Sequence, residues 1–302
     1  MRDRRRGWLG PSLPSRHRVR QWSIGLYAGS SPFRLRAANG IRNPVLTAGD
    51  VSDVRARFVA DPFMLRLASG WFMFFEVLEE NGRGKIAYAR SSDGLRWTYA
   101  GIVLEEPFHL SYPYVITTGG ETYLVPESGA AGEVRLYRAS PFPTRWDRIE
   151  TLLSGAPYSD SSLIHFRSRW WMFTCSDPHR NDALRLFSAQ RLVGPWSEHP
   201  CSPVVTSNPH WARPAGRVFE HEGRLFRFGQ DDAPWYGHQV WALEITELTS
   251  STYAERLVRN SPILRRRRFG WNALGMHHVD PHALGGDRWV ACVDGHRHVL
   301  RR

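Results

Sequence analysis

The chain has 302 residues, 42% of them hydrophobic and 13% aromatic, with thirteen Trp, so it can bury one large core. Its formal charge of +11 is concentrated at two places: residues 1–20 hold seven Arg against one Asp, and Arg265 to Arg268 add four more. The remaining body is close to neutral, which argues against a nucleic-acid partner.

Cys175, Cys201 and Cys292 are odd in number and widely spaced, which suits neither a disulfide framework nor a Cys-pair zinc site. No apolar run reaches the 18 residues of a membrane-spanning helix. The N-terminal stretch is basic and then broken by Pro, so it does not read as a signal peptide, and a cytoplasmic location is expected. Residues 1–20 are expected to be a disordered basic lead-in, and residues 21–302 one folded domain.

From there, short aromatic and aliphatic runs alternate with Gly, Pro, Asn and Asp clusters, as in an all-β chain. The runs repeat. The first unit opens with Phe58-Val-Ala-Asp-Pro-Phe-Met-Leu and continues with Gly70-Trp-Phe-Met-Phe-Phe-Glu and Gly84-Lys-Ile-Ala-Tyr-Ala-Arg. A turn, Ser92-Asp-Gly-Leu-Arg-Trp, then leads to a fourth strand near Ile102. The second unit repeats this order from Tyr112, the third from Asp160, the fourth from Arg213 and the fifth from Asp280. A four-stranded unit at a period near fifty residues predicts a five-bladed β-propeller. The last unit is short of a strand, and residues 23–47 are expected to supply one and close the ring.

In such a ring the first strand of each blade lines the central channel, and the second runs back beside it. Two sets of residues therefore meet at one mouth. The first-strand set is Asp61, Tyr112, Asp160, Arg213 and Asp280. The second-strand set is Glu76, Glu127, Cys175 or Ser176, Gln230 and Asp294. Structurally equivalent positions filled by charge instead of packing residues mark a candidate site, because buried charges are costly unless paired. The competing reading is that these groups cap strands and pair with one another, with Arg213 as counter-ion.

Asp61-Pro-Phe at the first blade and Asp160 at the third resemble the five-bladed glycoside hydrolases of families 43, 32 and 68. That resemblance implies Asp61 as base or nucleophile, Asp160 as the group tuning its partner, and a Glu as proton donor. A wider similarity covers about residues 22–300. Its motifs are Phe58-Val-Ala-Asp-Pro-Phe-Met, Phe108-His-Leu-Ser-Tyr-Pro, Tyr123-Leu-Val-Pro-Glu-Ser, Arg213-Pro-Ala-Gly and Gln230-Asp. They are similar to the N-terminal domain of glucosamine inositolphosphorylceramide transferases. Family 43 enzymes usually carry the acid on the fourth blade, where this chain has Arg213-Pro-Ala-Gly. Glu127, with Glu76 behind it, is the nearest substitute.

The expected site is thus Asp61, Asp160, Glu127 and Glu76 as catalytic candidates, with Tyr112, His109, Arg213, Gln230, Asp231, His278 and Asp280 contacting a carbohydrate ligand. A cofactor is not expected. His278, Asp280 and His282 would share one face of a strand, a set that can ligate zinc or iron, and the resemblance to family 43 implies room for a structural calcium or other ion near His278. The leading expectation is hydrolysis of a glycan at the mouth by paired carboxylates; the alternative is binding of a glycan without turnover in polysaccharide or glycolipid assembly. The run from Arg265 to Arg268 lies in the long step between the fourth and fifth units and is expected to be an exposed loop.

Overall fold

The computed structural model describes residues 17–177 and 179–301. The chain starts with β1 (His17–Gly29) and β2 (Leu35–Ala37), which belong to the last blade. Blade one is β3 (Ala56–Leu67), β4 (Gly70–Glu79), β5 (Gly84–Ser91) and β6 (Thr98–Leu104). Blade two is β7 (Ser111–Thr118), β8 (Glu121–Ser128), β9 (Glu133–Ala139) and β10 (Trp146–Ser154). Blade three is β11 (Ser159–Phe166), β12 (Arg169–Cys175), β13 (Leu184–Ala189) and β14 (Ser197–Glu198). Blade four is β15 (Phe219–His221), β16 (Arg224–Asp231), β17 (Gln239–Leu248) and β18 (Tyr253–Leu257), with β19 (Leu264–Arg265) as a further strand on β17. Blade five is β20 (Val279–Gly285) and β21 (Arg288–Arg301), completed by β1 and β2. The protein is a five-bladed β-propeller of antiparallel sheets.

The N-terminal segment supplies two strands to the last blade, not one. β1 is also longer than expected. It begins at His17, inside the segment read as the lead-in, and stays in register with β21 from His17↔Arg301 to Gly29↔Trp289. Residues 1–16 lie outside the described ones.

Turn chemistry sets the hairpins that join first and second strands. Thr118 faces Glu121 across Gly119 and Gly120, both at positive φ (59° and 80°), which is the two-residue turn whose twist matches the flanking strands. The packing between blades is aromatic. Trp146 on the outer strand of blade two meets Phe74 of blade one edge-on at 5.4 Å, and its indole N–H donates to the Pro143 carbonyl at 3.0 Å. Both rings are buried and the one polar atom of the wedge is satisfied, as a buried Trp requires.

Three first strands share an irregularity. Register shifts interrupt β3, β7 and β11 between Ala60 and Phe63, Ser111 and Tyr114, and Ser159 and Ser162. In each, the first skipped residue is left-handed: Asp61 (φ 53°), Tyr112 (φ 44°) and Asp160 (φ 54°). Non-glycine residues adopt this conformation only where surroundings compensate, and clusters of it mark functional regions.

Candidate functional site

The compensation comes from neighbouring blades. Asp61 N–H donates to Asp294 Oδ2 (3.0 Å), Tyr112 N–H to Asp61 Oδ2 (3.3 Å) and Asp160 N–H to Glu127 Oε2 (3.2 Å). Each turned-out amide is met by a carboxylate. Two reach from the preceding blade's second strand, and Asp61 reaches from the preceding first strand. Asp294 also accepts the N–H groups of His277 (3.2 Å) and His278 (3.1 Å), so it pins the entry of β20 and the bulge of β3 together.

Side chains then close the ring. Asp160 takes Arg213 Nε at 2.5 Å and Gln230 Nε2 at 2.6 Å. Arg213 also reaches Glu127 Oε2 (3.4 Å) and Asn181 Oδ1 (3.1 Å), and its guanidinium lies 5.4 Å from the Tyr236 ring centre. His109 Nδ1 accepts the Gly84 N–H at 3.0 Å, which turns Nε2 toward Glu76 Oε1 at 3.3 Å. The His277 Nδ1–H donates to Asp294 Oδ1 (2.8 Å), and Nε2 faces Asp61 Oδ1 across 3.8 Å, beyond a direct hydrogen bond. Trp22 is stacked between His277 and His296, with ring centres at 3.9 and 4.0 Å.

Burial, reinforced by the carboxylates of Asp160, Asp294 and Glu76, pushes the Asp61 carboxyl well above the usual range, with His277 opposing. Burial and the charge of Asp160 push Glu127 well up too, and Arg213 offsets this only in part. His277 is raised: burial disfavours its charge, but Asp294 and Asp61 outweigh that and lift it to about 9. His278 goes the other way, lowered by burial to about 4. Asp61, His277 and Asp294 bring three possible ligand atoms within 4.8 Å of one another. With Nδ1–H on Asp294, the ligand atom that His277 has left for a metal is Nε2, which faces Asp61.

The structure brings Asp61, Asp160, Glu127, Glu76, His109 and Arg213 to one mouth. It places five expected ligand contacts elsewhere. The Tyr112 side chain turns into the channel, where its hydroxyl is shared with Ser162 (2.8 Å) and the Gly216 backbone, so only its amide faces the mouth. Gln230 is fully buried and spends its amide N–H groups on Asp160 and the Pro214 carbonyl, positioning Asp160 rather than reaching a ligand. Asp231, the next residue on the same strand, faces away. It is held by His210, Gln239 and Trp241 at 2.7–2.9 Å.

Asp280 lies deeper. It accepts from Arg217 (2.8 Å), His282 (2.9 Å) and Met64 N–H (2.6 Å), and is wholly buried. Burial would raise its pKa, but Arg217 and His282 hold it well below the usual carboxylate range. The cause of the misplacement is register. Asp280 pairs with Cys292, whereas the residue meeting Asp294 at the mouth is His278. The sequence signal was the spacing: 294 minus 280 is shorter than the matching offset in every other blade. His278 itself sits in the channel between Phe63 and Tyr112, fully buried, with neither ring nitrogen hydrogen-bonded. Sequence reasoning missed Trp22, Asn181 and Arg217. Trp22 comes from the closing strand and Arg217 from the loop ahead of β15, so neither occupies a repeat position.

The sequence pattern of the family described as "Glucosamine inositolphosphorylceramide transferase 1, N-terminal" matches residues 17–296. The chain belongs to this family. Glucosamine inositolphosphorylceramide transferase 1 of rice (Oryza sativa subsp. japonica) is 38% identical over 298 residues, covering 91% of this chain and 40% of the relative. The protein of that name from Arabidopsis thaliana is 32% identical, with 91% and 39% covered. The chain thus spans about two fifths of the length of the curated relatives it matches. The chain also shares its fold with glycoside hydrolase propellers. The GH62 α-L-arabinofuranosidase catalytic domain of Coprinopsis cinerea superposes with a TM-score of 0.61 at 12% identity, covering 91% of this chain and 96% of that one. An exo-β-1,3-galactanase from Clostridium thermocellum gives 0.59 at 14%, covering 73% and 52%. At such identities the likeness speaks for the fold alone.

Proposed function

We propose that the mouth of this propeller binds a sugar residue without hydrolysing it, as a recognition domain for a glycan or glycolipid head group. The observation that carries this reading is Arg213. It stands on the fourth blade, where the hydrolase pattern has its proton donor, and its guanidinium is tied to Asp160 and Glu127. Two-carboxylate hydrolysis also needs one group ionised and one protonated. Here burial raises both Asp61 and Glu127, so the environment does not push the two carboxyls apart. The buried Asp232 Oδ2 has no hydrogen-bond partner and is an acceptor, so the partner that fits it is a donor such as a sugar hydroxyl or ammonium. The rice and Arabidopsis relatives are named for glucosamine and inositolphosphorylceramide, which puts hexosamines and inositol glycosides first on a ligand panel.

One observation favours hydrolysis as the second reading. Glu127 is raised by burial and by the charge of Asp160, which is how a general acid is kept protonated. Calorimetric titration of a glycan panel, run beside an assay for released reducing sugar, separates the two. Saturable binding without release, lost in Asp61→Asn, is the expected result. Sugar release that disappears in Glu127→Gln would establish hydrolysis, and absence of both binding and release would reject the mouth as a sugar site.

A further inference from the structure

Residues 17–49, 256–279 and 295–302 contain no Asp or Glu. The fold gathers these three segments into one sector. β1 pairs with β21, and the loop leading into and out of β19 faces β2 across a hollow lined by Leu35, Arg36, Arg265 and Arg267. Leu274 N–H donates to the His296 carbonyl at 2.9 Å, and Trp235 Nε1–H donates to the Leu274 carbonyl at 3.1 Å under the guanidinium of Arg266.

Part of the sector projects beyond the mouth. β20 accompanies β21 only as far as Val279↔Val293, while β1 stays with it from Ile24↔Asp294 to His17↔Arg301. His296 is still bridged to Gly275 on its other side, so the five residues of β21 past it form a two-stranded ribbon with β1, roughly 15 Å long on the mouth side. Arg18, Arg20 and Arg297 are exposed on this ribbon, as are Arg34 and Arg36 beside it and the whole run from Arg265 to Arg268. Among the described residues, no carboxylate pairs with any of them. Carboxylates answer some surface Arg side chains elsewhere, as Glu198 does Arg185, but none is available within these three segments.

Two apolar side chains stand in this cationic surface. Phe269 is 75% exposed and follows Arg268, and Leu300 is 59% exposed and lies near the end of the ribbon. They are the two most exposed large apolar residues among those described. Unanswered guanidinium groups repel one another unless an anionic partner covers them. Nucleic acid or an acidic polysaccharide would pair with the arginines but leave Leu300 in water. A bilayer interface takes both, phosphate and carboxylate head groups on the arginines and the apolar side chains in the acyl boundary.

We propose that this sector docks on an anionic lipid bilayer, with Phe269 and Leu300 as its inserting residues. The ribbon lies on the mouth side, so docking sets the mouth toward the head-group layer.

The test is sedimentation of the full chain with vesicles of phosphatidylcholine alone or mixed with phosphatidylserine. Binding to the mixed vesicles only, weakened by salt, is expected. Replacing Arg265 to Arg268 by Gln should lower the partition coefficient by about fivefold per arginine. Phe269→Ser should lower it in high salt, where the electrostatic part is screened. Both sets of side chains are exposed, so thermal melting should not change, which separates lost docking from lost folding. Asp61→Asn should leave vesicle binding intact, so a failure of sugar binding at the mouth is read separately. Absence of binding to mixed vesicles would overturn the proposal. So would tighter binding to soluble heparin-like polysaccharide or DNA with Phe269→Ser indifferent, which would make the sector an electrostatic site for polymers.

Discussion

The amide of Asp160 and the carboxylate of Glu127 are bonded across the seam between blades two and three, 3.2 Å apart. The amides of Asp61 and Tyr112 are bonded to carboxylates of their preceding blades in the same way. Each acid therefore holds a left-handed residue of the next first strand in place. The groups that line the mouth also build it, so mutation must be read for stability as well as ligand binding.

Glu127→Ala leaves the Asp160 amide and part of Arg213 without partners, and should cost about 1–3 kcal/mol of stability. Glu127→Gln keeps an acceptor and resembles the protonated carboxyl that burial favours, so its stability should stay close to that of the parent. Urea unfolding of the two variants measures the difference. Equal losses would show that the charge, not the hydrogen bond, matters at this seam.

Stability should peak near neutral pH. His277 is raised from 6.5 to about 9. Its contribution is therefore fully present below pH 6.5 and lost as the pH rises through about 9, roughly 3 kcal/mol in all. His278 and His296 are both lowered by burial to about 4. Their contribution is present above pH 6.5 and lost as the pH falls toward 4. A melting-temperature profile against pH should show both limbs, and His277→Gln should flatten the alkaline one.

Asp280 and Arg217 form a buried pair beneath the mouth, with Arg217 Nε 2.8 Å from Asp280 Oδ1. Removing one charge strands the other. Asp280→Ala should destabilise by about 3–5 kcal/mol, while sugar affinity of the folded fraction stays unchanged. A selective loss of affinity at parental stability would return Asp280 to the binding site.

Ring closure rests on β1. Ile24 is fully buried, and its backbone both pairs with Asp294 and bonds to Leu46. Ile24→Ala should cost about 2–5 kcal/mol, as much as a core truncation inside a single blade. Denaturant unfolding gives the value. A loss well below 1 kcal/mol would mean that the closing strand adds little to the ring.

The repeat was legible because a strand has a period of two and its turns need particular residues. Aromatic runs between Gly, Pro and Asp turns marked the blades. Charge at otherwise apolar repeat positions marked Asp61, Glu76, Glu127, Asp160 and Arg213. Spacing failed where the backbone departs from strict alternation. The bulges at Asp61, Tyr112 and Asp160 add a residue without a signature in composition. The fifth blade lacks that bulge, so counting from the first blades placed Asp280 at the mouth when it pairs with Cys292 one layer down. Partner choice was likewise out of reach. Asp61 meets Asp294 from 233 residues away and Tyr112 meets Gly216 from 104. Sequence sets which groups a strand presents to each face. Only closure of the ring decides which of them meet, because a contact across blades depends on the register of every strand between them.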